Sequence, residues 1–66
     1  MCDLRFEGDG GSLVLIRPLT DAGLDWLGDN VQSEPYQWMG NALACERRYA
    51  FDIYLGALSD GLAVQQ

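Results

Sequence analysis

No uninterrupted apolar run in the chain is longer than Leu13-Val14-Leu15-Ile16, and that run is bracketed by Gly8-Asp9-Gly10-Gly11 and Pro18. It is far shorter than the roughly 18 residues a membrane-spanning helix requires. Turn-forming residues on both sides cut it to the length of a strand, running from Ser12 to Arg17. With no polar position among Leu13–Ile16, this strand is expected to lie centrally in a sheet, covered on both faces or nearly so. Pro18 ends it, having no N–H to give to a ladder. Upstream, Leu4 and Phe6 alternate with Asp3, Arg5 and Glu7, and Cys2 shares their face. That is the pattern of a strand with one buried side. Gly8-Asp9-Gly10-Gly11 supplies positions that tolerate positive φ, so the two strands are expected to form a β-hairpin.

A helix follows. Thr20 is a good N-cap, Asp21 stands where the helix dipole favours negative charge, and Leu19 is placed to staple onto Leu24. Leu24, Leu27 and Val31 mark its expected buried stripe, with Ala22 and Trp26 alongside. Gly28 or Asn30 is expected to stop it in the left-handed conformation, Asn30 fitting better because apolar Val31 follows. Ser33-Glu34-Pro35 is loop. Tyr36–Met39 and Ala42–Glu46 flank Gly40-Asn41, a dipeptide suited to a tight hairpin turn, and Ala42–Glu46 is the surer strand. A second helix is expected over Tyr49–Leu58, with Phe51, Leu55 and Leu58 as its core stripe and Ala50, Ile53, Tyr54 and Ala57 widening it. Gly61 is its C-terminal stop, Leu62 folds back onto the last turn, and Leu62–Gln65 is a closing strand.

The order strand, strand, helix, strand or hairpin, helix, strand predicts an α+β fold. It is a small two-layer domain: a mixed or antiparallel sheet of four to five strands with two helices on one face. Crossovers through the helices should be right-handed. Residues 1–66 form a single domain, because a chain this short buries only about 60% of the surface its unfolded form exposes. The balance of burial against ordering entropy is then close to zero, so dense packing, a crosslink or a partner must add stability. Nearly half the residues are apolar and seven are aromatic, enough for the chain to fold.

Ten carboxylates stand against four arginines, with no Lys or His, giving a formal charge of −6. Such a chain is poorly suited to bind DNA or RNA directly, since that affinity rests on basic side chains that neutralise phosphates. It is better suited to occupy a basic groove that normally holds nucleic acid. The sharpest pattern is Asp21, Asp25 and Asp29 at a strict four-residue spacing, which on a helix forms a ridge of negative charge with intervals of about 6 Å. Mutual repulsion and the position of Asp29 near the negative end of the dipole should cost a few tenths of a kcal/mol. A solvated helix face explains the same spacing without any function. Asp3, Glu7 and Asp9 add negative charge around the first hairpin, whereas Glu34, Glu46, Asp52 and Asp60 are scattered. Trp38, with Tyr36 and Met39 near a turn, is either an aromatic anchor for a partner or a plug for the core.

Other chemistries are weakly supported. Arg47-Arg48 is the only basic pair and is expected to serve Glu46 or Asp52. Cys2 and Cys45 are expected to be free thiols; without His they make neither a zinc site nor an activated nucleophile. Glu7–Ser12 lacks the ordered ligands of a calcium loop, and no phosphate-binding or nucleophile-elbow motif occurs. No enzyme activity, catalytic residue, cofactor or metal is therefore expected. The N-terminus lacks the basic and apolar regions of a secretory signal, which points to the cytoplasm.

In size, charge and single-domain layout, over the whole chain, the protein resembles the small acidic proteins encoded by phages and prophages, among them the anti-CRISPR inhibitors. No diagnostic motif carries the resemblance, so it transfers no functional residue. It implies inhibition of an RNA-guided surveillance complex by occlusion of its DNA-binding channel, in the host cytoplasm, by a monomer. The candidate partner-binding residues, Asp21, Asp25, Asp29, Asp3, Glu7, Asp9 and Trp38, come from spacing and charge alone. Two other roles fit the same chain: an assembly subunit that buries an apolar patch around Tyr36-Gln37-Trp38-Met39, or an antitoxin-like regulatory partner of one protein.

Overall fold

The fold was obtained as a computed structural model that describes residues 2–8, 10–32 and 37–65. The chain runs β1 (Leu4–Gly8), β2 (Leu13–Pro18), α1 (Asp21–Asn30), β3 (Trp38–Met39), β4 (Ala42–Glu46), α2 (Arg47–Ser59) and β5 (Val64–Gln65). The five strands form one sheet in the order β3-β4-β2-β1-β5. All neighbours are antiparallel except β5, which runs parallel to β1 with Leu4 opposite Val64. The α+β class, the mixed sheet and the central position of β2 are as the sequence predicts.

Side-chain alternation decides which face is covered. Phe6 pairs with Ile16, and Ile16 with Leu43. These residues, together with Leu4 and Cys45, form the core with Leu27 and Val31 of α1 and Ala50, Ile53 and Ala57 of α2. Both helices therefore lie on one face. Among the described residues no element packs on the other, where Leu13 is exposed and Leu15 half-buried. The expectation that β2 is covered on both faces is thus corrected. Its second apolar row stands on an open antiparallel face, with Leu15 flanked across the ladder by Glu7 and Ala44.

Local chemistry fixes the element ends. The Thr20 hydroxyl accepts the Gly23 N–H at 3.1 Å, capping α1 as expected. At the other end neither Gly28 nor Asn30 has positive φ, so neither is a left-handed stop. Instead its side-chain amide donates to the Trp26 carbonyl at 2.9 Å, and the backbone leaves in an extended conformation at Val31. Gly40, at φ +64, starts the β3–β4 turn. Helix α2 closes in a Schellman motif: Gly61, at φ +87, donates to the Leu58 carbonyl and Leu62 to that of Ala57.

The facing of both helices agrees with the apolar pattern at Leu27, Val31, Ala50, Ile53 and Ala57 and departs from it elsewhere. In α1 the inward positions are Gly23, Leu27 and Val31, while Leu24 is 49% exposed and Ala22 is also exposed. A Cβ at Gly23 would collide with the Asp3 carbonyl, so glycine is what lets α1 approach the start of β1. In α2 the inward side is Ala50, Ile53 and Ala57, and Phe51, Leu55 and Leu58 are exposed. Ala50 and Ala57 let the helix lie close to the sheet on either side of Ile53, and Phe51, Leu55 and Leu58 are turned outward.

Candidate acidic surface

Around the axis of α1, Asp21, Asp25 and Asp29 stand opposite the Gly23–Leu27–Val31 side and are exposed. Among the described residues none of the three takes part in an ion pair or a side-chain hydrogen bond. The ridge inferred from spacing is present as a solvent-facing row along the outer edge of the helical layer.

Helix α2 adds to this surface. A shallow groove between the helices is lined by Trp26, Asn30, Tyr49, Asp52, Gly56 and Asp60, among others. The Trp26 indole N–H donates to the Asp60 carboxylate at 2.7 Å, and its ring lies in contact range of the Cα side of Gly56. Asp52 and Asp60 thus border the same layer as the ridge. The sequence leaves them scattered, but Asp52 lies within α2 and Asp60 caps it, and both line this groove.

The guanidinium groups lie elsewhere. Arg5 and Arg17 are on the open face of the sheet, each 3.2 Å from a Glu7 carboxylate oxygen. Arg47 sits at the start of α2 and donates to the Gly11 carbonyl at 2.6 Å, and Arg48 is exposed beside it. The expected service of this pair to Glu46 or Asp52 is not found among the described ion pairs, because Arg47 is turned toward the β1–β2 loop. The helical layer carries Asp21, Asp25, Asp29, Asp52 and Asp60, opposed only at one end by Arg47 and Arg48.

The remaining candidates separate. Glu7 lies across the sheet from the ridge, between two arginines, and does not extend it. Asp3 adjoins the first turn of α1 but is occupied: one oxygen accepts the Thr20 hydroxyl at 2.6 Å and the other the Ala63 N–H at 3.1 Å. These bonds, the Thr20 hydroxyl first, hold its carboxyl below the ordinary value. Trp38 is half-buried and packs against the core, with its outer side on a hollow lined by Leu19, Asp21 and Leu24. Asp9 and Tyr36 lie outside the described residues.

No group of three or more Asp, Glu, Cys or His that could hold a metal occurs among the described residues. Both cysteines are free, and burial pushes the Cys45 thiol up. No helix among them is long and apolar enough to cross a membrane. No protein-family model matches the chain, and no curated protein or solved structure matches it either.

Proposed function

We propose that this protein is a non-enzymatic inhibitor that presents the outer surface of its helical layer to the basic groove of a nucleic-acid-binding protein or complex. The observation that carries this reading is the segregation of charge. Five carboxylates occupy the helical layer, while Arg5 and Arg17 are held on the far side of the sheet by Glu7. A row of carboxylates at helical intervals of about 6 Å offers an Arg/Lys-lined channel a line of negative charge, sparser than that of a nucleic-acid strand, whose phosphates recur about every 3.4 Å of helix axis. Association through such a surface is steered by long-range attraction and weakened by salt.

The whole-chain resemblance to small acidic phage-encoded inhibitors makes an RNA-guided surveillance complex the first target to test. The experiment is a DNA-binding assay with such a complex in the presence of the protein. The wild-type chain is expected to displace DNA, and the combined Asp21→Asn, Asp25→Asn and Asp29→Asn chain to lose that effect while remaining folded. Binding of the protein to the complex without competition against DNA would refute mimicry.

A further inference from the structure

Helix α2 carries two apolar sides. One, formed by Ala50, Ile53 and Ala57, lies on the sheet. The other is the row Phe51, Leu55 and Leu58, which remain 58%, 48% and 46% exposed. Tyr54 borders it, its ring set edge-on to Phe6 at 5.5 Å between centroids. Helix α1 cannot cover this row, because it meets α2 on the Gly56 side through Trp26. Single exposed leucines are ordinary, but three large apolar side chains in line on the outer side of one helix form a patch.

Charge selects the occupant. A basic target is drawn to the Asp21–Asp25–Asp29 side, and the apolar row itself contains no carboxylate. Helix α2 begins with Arg47 and Arg48, has no acid in its first turn and no base in its last, and is capped by Asp60. This polarity opposes its own dipole. A second α2 lying antiparallel would set the basic first turn of each helix beside the carbonyl-rich end of the other, whose Asp60 carboxylate is held on the α1 side by the Trp26 indole. It would also bury both apolar rows.

We infer that Phe51, Leu55 and Leu58 form the interface of a homodimer, with two copies of α2 packed antiparallel about a twofold axis near Leu55. The contact is self-complementary, as a twofold interface must be. It adds buried apolar surface to a domain whose own core is small. The ridges on both α1 helices stay outside the contact.

Sedimentation velocity over a concentration series tests this with the full chain. Wild type is expected to pass from monomer to dimer as concentration rises, and Leu55→Asp to stay monomeric with an unchanged circular dichroism spectrum. In a Cys2→Ser, Cys45→Ala background, Leu55→Cys should crosslink on air oxidation into a covalent dimer, whereas Asp25→Cys should not. The crosslinking pair decides the matter should Leu55→Asp fail to fold. The Asp21→Asn, Asp25→Asn, Asp29→Asn chain should dimerise at least as tightly as wild type, so loss of target binding and loss of dimer are separate results. A wild-type monomer at every concentration, a dimer that survives Leu55→Asp, or equal crosslinking at both cysteine positions would overturn the inference.

Discussion

Gly23 and Asp3 form a close junction between α1 and the start of β1. The Asp3 carbonyl accepts the Leu19 N–H at 2.8 Å and lies where a Cβ on Gly23 would sit, while its carboxylate joins Thr20 to Ala63. Gly23→Ala forces backbone apart and should destabilise the fold by about 2 kcal/mol, as overpacking does, in a denaturant titration. Gly28 is the contrasting case, because nothing lies within 4 Å of the position its Cβ would take. Gly28→Ala should stabilise by about 1 kcal/mol through helix propensity alone, so equal effects at the two glycines would refute the packing account. Asp3 also sets a pH dependence. Its folded pKa is depressed, so its contribution is complete above the ordinary 3.8 and is lost as pH falls below that value through the folded one. Asp3→Asn should therefore lower stability at neutral pH and show a flatter decline below pH 3.8, as measured by thermal melts across pH.

The same residue chemistry explains which elements were legible in the sequence. Thr20, Gly40 and Gly61 act on their immediate neighbours, and the cap, the turn and the stop follow from those residues alone. The helix faces followed only in part: Leu27, Val31, Ala50, Ile53 and Ala57 are inward as expected, and Leu24, Phe51, Leu55 and Leu58 are not. Hydrophobic periodicity weights large side chains, so it selected Leu24, Phe51, Leu55 and Leu58, whereas the close contacts are made through Gly23, Ala50 and Ala57. The parallel pairing of β5 with β1 joins opposite ends of the chain, and no local pattern encodes it. In the candidate site the Asp21–Asp25–Asp29 row was legible from its spacing, but the separation of Glu7 from it depends on which sheet face the helices cover. The row has an energetic signature of its own. Asp29 stands in the last turn of α1, where the dipole disfavours negative charge. Asp29→Lys should raise stability by a few tenths of a kcal/mol and at the same time weaken binding to a basic target. A gain in both would remove Asp29 from the binding surface.

On the scale of the whole molecule, the sheet acts as a divider of charge. Its open side holds Arg5, Glu7 and Arg17 in a small pairing network, and its covered side supports a helical layer with Asp21, Asp25 and Asp29 along its outer edge and Asp52 and Asp60 on the groove between the helices. A uniformly acidic chain would only be soluble; a chain with its guanidinium groups set behind the sheet or at one end of α2 has a directional field. Salt tests that directly. If the proposed function holds, the affinity of the wild-type protein for the basic channel of a nucleic-acid-binding complex is predicted to fall steeply as ionic strength rises from low to physiological. The Asp21→Asn, Asp25→Asn, Asp29→Asn chain should bind weakly, with a much shallower dependence. Affinity indifferent to salt, or a neutralised chain that binds as tightly as wild type, would contradict the account.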